Sequence, residues 1–402
     1  MTRHCIVLIL TLCGASYSIG ADWLQFRGND TTSVSPDENL PCRISDATIK
    51  WSAELPGGGL SGPIVIGERV VVTASSGFDQ NRLHVLCFST VSGEKQWERQ
   101  FWATGSTTCH EIMRVAAPTP ASDGARIYAL YSSNDLACLD LDGHLIWYRS
   151  LGLEYPNASN SLGMASSPVV VGETVVLQIE SDAEAFAMGI HTATGMTRWK
   201  IPRERTSNWT SPAIFRGDTR DLDRVVLQSA VGLDAVAPET GEIAWSYRQG
   251  TETRPSSTVW SGTVFGVSQG LTALKPNKLG DAVDLSWSEQ KLAPGSPSPV
   301  VDAGRVYVVS GKILTAGDAQ TGDVVWRMRI GGNSRYWSTP LLANHHLYLF
   351  DQNGVCRVIH LGEEKGTVVS EHELGGTILC TPGAANGAIF VRSYERLWKL
   401  AD

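Results

Sequence analysis

The chain has 402 residues, 42% of them hydrophobic and 18% charged, with a formal net charge of −8 at pH 7. That apolar fraction suffices for a packed core and excludes an intrinsically disordered chain. The acidic balance, without any run of lysines or arginines, excludes nucleic acid or an anionic membrane as the main partner.

Arg3 and His4 precede an apolar run from Ile6 to Leu12, followed by small residues and a cleavage point after Gly20 or Ala21. Charged, apolar and small-residue regions in that order predict a signal peptide over residues 1–21, and export to the periplasm or beyond the cell. The run is too short for a spanning helix, which needs about 20 apolar residues. Residues 22–47 are predicted as an N-terminal extension, and residues 48–402 as one repeating unit. The unit begins with an isolated strand, Thr48 to Leu55, carrying Trp51.

A two-part phrase then recurs. Its first half is a small residue followed by proline at the head of a short apolar strand: Gly62-Pro63, Thr119-Pro120, Ser167-Pro168, Ser211-Pro212, Ser298-Pro299, Thr339-Pro340 and Thr381-Pro382, with Ser257-Thr258 as the fifth copy. The copies lie roughly 40–55 residues apart, the period of four-stranded propeller blades. Its second half is Gly-x-x-x-Trp, at Gly93 to Trp97, Gly143 to Trp147, Gly195 to Trp199, Gly241 to Trp245 and Gly322 to Trp326. Trp287 follows a longer loop, and the seventh copy has Ser370 where the tryptophan belongs. Between the halves lie strands such as Arg69 to Thr73, Arg126 to Leu130, Thr174 to Leu177, Arg305 to Val309 and His346 to Phe350, rich in β-branched and aromatic residues and bounded by turns.

After Thr381 the chain supplies three strands and stops before any Gly-x-x-x-Trp segment. The isolated Trp51 strand can complete that last blade, so that both termini share one sheet and no edge is left free. The prediction is an all-β, eight-bladed β-propeller of four-stranded antiparallel blades, eight blades being favoured over seven.

Six cysteines follow residue 21: Cys42, Cys87, Cys109, Cys138, Cys356 and Cys380. Cys87 and Cys138 share a repeat column with Gly189, Ala235, Ala273 and Ala316, which predicts buried small apolar packing residues. The other four are expected at blade edges or loops, their pairing undetermined.

Thr321-Gly322-Asp323-Val324-Val325-Trp326 and Thr240-Gly241-Glu242-Ile243-Ala244-Trp245, with Asp318, resemble the PQQ-type β-propeller repeat of BamB-like assembly proteins and quinoprotein dehydrogenases. The opening Asp22 to Gly28 also resembles exported members of that group. The resemblance implies that Trp51, Trp97, Trp147, Trp199, Trp245, Trp287 and Trp326 are structural, each stacking on the neighbouring blade. It raises the quinone PQQ as a cofactor, held in those dehydrogenases beneath a disulfide of adjacent cysteines and beside a calcium ion. No Cys-Cys pair exists here, and no residue matches the catalytic aspartate or the metal ligands, so no cofactor and no metal is expected.

Ser106 to His110 falls one cysteine short of a haem attachment motif, and no zinc-like spacing accompanies Cys109-His110-Glu111. No catalytic residue is assigned. What remains is the funnel, where loops preceding the inner strands converge. Its candidate binding residues are His110, Glu111, Arg114, Asn208, Trp209, Arg254, Arg335 and Trp337, cations and aromatics suited to an acidic or extended peptide. The alternative for Trp209 and Trp337 is packing at blade junctions. The expected function is an exported, non-catalytic binding or assembly module with a protein or peptide partner in the cell envelope. The competing readings are a quinoprotein oxidoreductase and a glycan-binding propeller.

Overall fold

A hydrogen-bonded ring follows from the repeat, because each meander buries its two faces only against its neighbours. The computed structural model describes residues 22–402 apart from Glu38 and Lys278. Eight four-stranded antiparallel sheets stand around a central channel. Blade 1 starts at Ile64–Ile66, and the later inner strands start at Ala121, Val169, Ala213, Thr258, Val300, Leu341 and Gly383. The predicted closure is present: Ile49–Glu54 pairs with Arg396–Ala401, Ser52 opposite Trp398 and Glu54 opposite Arg396. The signal-peptide prediction lies outside the described residues.

The apolar clusters straddle adjacent blades, joining for example Tyr128 and Leu136 of blade 2 to Val175 and Phe186 of blade 3. The Gly-x-x-x-Trp phrase acts across these joints. Gly143 has φ +81° and a Cβ there would lie 2.7 Å from the Trp97 ring of the preceding blade. Only glycine both adopts that backbone and leaves room for the indole. Trp51, Trp147, Trp199 and Trp287 lie against Gly93, Gly195, Gly241 and Gly322 in the same way. The indole N–H then donates to a carbonyl of the next blade, as from Trp97 to Leu141 at 2.9 Å and from Trp199 to Pro238 at 2.9 Å. Trp245 is different, its N–H having no acceptor among the described residues.

Within a blade, the tryptophan faces the small column: Cys87 opposes Trp97, Cys138 opposes Trp147 and Ala316 opposes Trp326. In blade 7 both sizes change together, Val358 opposing Ser370. The Ser370 hydroxyl also accepts from the Ile44 N–H and donates to its carbonyl, so the N-terminal segment docks where the indole is missing.

Two expectations are corrected. Cys356 is not at an edge or in a loop but buried within the strand Val355–Leu361, whereas Cys380 does lie in a loop, buried there with its thiol donating to the Arg392 carbonyl at 3.1 Å. Burial pushes the Cys380 thiol up to about 11. The fifth copy of the small-residue phrase is Ser256-Ser257, one residue earlier than expected. Its inner strand Thr258–Trp260 begins two residues after Ser256, the spacing found in every other blade.

Candidate functional site

The residue two positions before each inner strand faces the channel, and in seven of the eight blades its short hydroxyl reaches one blade back. Thr119 accepts from the N–H of Gly62, Ser167 from Thr119, Ser211 from Ser167 and Ser256 from Ser211. Ser298 accepts from Ser256, Thr339 from Ser298 and Thr381 from Thr339, all seven bonds being 2.8–3.2 Å. The belt opens at one seam. Gly62 has no hydroxyl, and a Cβ there would lie 2.6 Å from the Thr381 carbonyl oxygen.

Beyond the belt, the channel is plugged by the segment after residue 21. Trp23 exchanges two backbone hydrogen bonds with Val65 of blade 1, and the Leu24 carbonyl accepts from Ser122 of blade 2. Gln25 accepts from the N–H of Val170 and Thr31 from that of Ile214. Arg27 donates to the carbonyls of Ser257 and Pro299, and Ser33 to that of Pro340. Trp23 also packs under Gly383 of blade 8. One segment therefore touches all eight blades on or immediately before their inner strands, capping edges that would otherwise face an open channel. Arg27 is fully buried, carries no carboxylate partner among the described residues, and burial lowers its pKa to about 9.

The loops on the other side of the belt enclose a funnel cavity of about 560 Å³ with Phe26 of the plug in its lining. Trp209 and Trp337 form walls, their indole N–H groups donating to the Gly163 carbonyl at 2.8 Å and the Gln352 side chain at 2.9 Å. His110, Thr253, Arg254 and Ser296 complete the polar lining beside the belt, and no aspartate or glutamate joins them among the described residues. A second recess of about 410 Å³ shares Arg254, Ser296 and Trp337 with the funnel and adds Lys312 and Arg335.

The funnel thus brings together four of the eight candidates: His110, Trp209, Arg254 and Trp337. Arg335 stands in the adjoining recess, and Glu111 is exposed outside both. Arg114 lies 4.5 Å over the Tyr394 ring and donates to the carbonyls of Glu111 and Met113. Asn208 is buried away from the cavity, donating to Glu180 at 2.7 Å and to the Gln228 carbonyl at 2.6 Å. Glu180 in turn receives the Arg203 guanidinium, which also pairs with Asp234 across the joint between blades 3 and 4. Burial raises the Glu180 pKa, opposed by Arg203 and Asn208. Sequence reasoning missed the belt and the plug. The signal for the belt was present, since seven of the eight small residues carry a hydroxyl.

The ring, the tandem tryptophan docking and the plugged channel define an eight-bladed PQQ-type propeller. The family model for the outer membrane protein assembly factor BamB matches residues 24–247 and 233–376, and the chain belongs to that family. No curated protein matches it. Solved structures of similar fold include BamB from Moraxella catarrhalis, at 16% identity and TM-score 0.63, covering 88% of this chain and 97% of that one. A europium-containing methanol dehydrogenase has 12% identity and TM-score 0.71, covering 95% and 98%. The quinohemoprotein alcohol dehydrogenase from Comamonas testosteroni has 12% identity and TM-score 0.70, covering 94% and 80%. At these identities the likeness concerns fold.

The dehydrogenases raise the question of a quinone with a metal ion. A hard divalent cation needs several oxygen ligands, mostly carboxylates. The funnel lining offers no carboxylate among the described residues, and Arg254 and the hydroxyl donors favour an anion instead. These residues do not fit a metal-assisted quinone site.

Proposed function

We propose that the protein is an exported, non-catalytic binding or assembly module that grips a protein or peptide segment at its funnel mouth. One observation carries this reading: a large funnel cavity walled by two half-buried indoles, with Arg254 at its rim and no carboxylate in its lining. Tryptophan and arginine around a concave, desolvated centre are the groups that dominate protein recognition. Membership in an assembly-factor family supports a protein partner in the cell envelope.

The test is capture from envelope extract with the wild type and a Trp209→Ala, Trp337→Ala double variant. Capture by the wild type and its loss in the variant support the reading. Failure of the wild type to capture a partner, together with quinone-dependent dye reduction, would sink it in favour of an oxidoreductase.

A further inference from the structure

A hydroxyl has one hydrogen to donate and two lone pairs to accept with. Each belt hydroxyl spends a lone pair on the N–H of the preceding blade. None of their hydrogens has an acceptor among the described residues, although the belt residues are only 3–7% exposed and line the cavity. Buried donors of this kind are normally matched by a partner. The belt therefore presents a circle of donors to whatever enters, and the complement of a donor circle is an oxyanion.

Three further features narrow the ligand. Arg27 lies on the far side of the belt, bonded to the carbonyls of Ser257 and Pro299, the residues directly after belt members Ser256 and Ser298. Its charge is buried without an acid beside it, so it favours a negative group in the cavity. The walls between belt and mouth are apolar, with Leu60, Ile112, Met113 and Leu379. Finally, the recess holding Arg254, Lys312 and Arg335 has no acidic residue in its lining. Arg254 and Arg335 make no side-chain hydrogen bond or ion pair among the described residues, and Lys312 bonds only the neutral Asn333 at 3.3 Å. On a chain of net charge −8, such a cationic, acid-free concavity is charge-complementary to an acidic ligand.

We propose that the funnel seats the C-terminal carboxylate of a partner polypeptide, its last side chain apolar, with acidic residues upstream lying over the Arg254, Lys312 and Arg335 recess. The carboxylate accepts from the belt hydroxyls, and the terminal side chain fills the space between Trp209 and Trp337. A free small acid would satisfy the belt and leave the recess cations uncompensated, whereas an extended chain reaches both chambers at about 3.3 Å per residue. This inference rests on the reading of the funnel as a protein-binding site.

The test uses the full chain and an octapeptide with three acidic residues in its first half, ending in Ala-Leu. Binding is read by titration calorimetry and by the fluorescence of the funnel tryptophans. The free-acid peptide is expected to bind at least about tenfold more tightly than its C-terminal amide, as loss of a charge-assisted hydrogen bond implies. Arg335→Glu, an exposed position, is expected to weaken the acidic peptide about tenfold and to leave hexanoate unaffected. Thr339→Val, checked for folding by circular dichroism, is expected to lower affinity for both free acids.

Equal binding of acid and amide peptides overturns the proposal. So does hexanoate binding as tightly as the peptide, which would make the cavity a small-acid site. If the wild type captures an envelope partner that the peptide does not displace, the carboxylate assignment fails and the binding-module reading stands. Failure to capture any partner counts against that reading instead.

Discussion

The outer joints and the inner belt are built from two halves of one repeated phrase, yet they end in opposite chemical states. At the outer joints the indole covers a glycine of the next blade, and six of the seven indole N–H groups find a carbonyl there. Only the Trp245 N–H is left over, so nearly every polar atom of this ring of contacts is spent on holding blades together. In the belt every hydroxyl closes a bond to its neighbour and keeps a hydrogen in reserve. A structural ring and a binding ring can therefore share one repeat, the difference being whether the polar atoms are used up.

The comparison breaks most visibly at an outer joint. Trp199→Ala removes a nearly buried indole from Gly241 and is expected to cost about 3–5 kcal/mol in urea unfolding, with the funnel unchanged. Next comes Arg27→Ala, which strands the carbonyls of Ser257 and Pro299 and is expected to cost about 3 kcal/mol by the same measurement. A smaller effect than that would mean that the plug is held by its backbone bonds alone. Ser370→Trp restores the missing indole opposite Val358, where no small residue makes room for it. We expect a loss of about 1–3 kcal/mol from overpacking, partly recovered by adding Val358→Ala.

Changes confined to the belt are gentler. Ser211→Ala deletes one ring bond and is expected to cost about 1 kcal/mol, while lowering ligand affinity more than any outer-joint variant. The smallest effect is on an outer strand of blade 1. Burial pulls the Glu98 carboxyl up, but hydrogen bonds from Lys95, His84 and Gln100 outweigh it and hold the group at about 2. A carboxylate whose pKa falls on folding stabilises above its unfolded range, and that contribution is lost as pH drops towards about 2. Glu98→Gln should flatten the acid limb of the stability curve, by no more than about 1 kcal/mol.

Much of the ring was legible because its signals are local. Gly143 and Trp147 sit on one turn and strand, and the column of Cys87, Cys138, Gly189 and Ala235 marks the position facing each indole. The funnel was half legible. His110, Trp209, Arg254 and Trp337 converge as their loop positions suggested, whereas Asn208 turns away to Glu180 and Arg114 to Tyr394. A loop position fixes which end of the channel a residue serves, but a rotation of one residue decides whether its side chain meets the cavity or the blade joint.

The sequence by itself determined the number of blades, their order and the closure by the Trp51 strand, since a repeat period and a stray strand need no knowledge of what lies across the channel. Only the tertiary structure decided that Ser256 and not Ser257 belongs to the belt, that the segment after residue 21 plugs the channel, and that Arg27 lies buried beneath the site without an acid. The physical reason is distance along the chain. Each belt hydroxyl bonds a residue more than 40 positions away, and Arg27 reaches carbonyls 230 and 272 positions away, so those contacts exist only once the ring has closed.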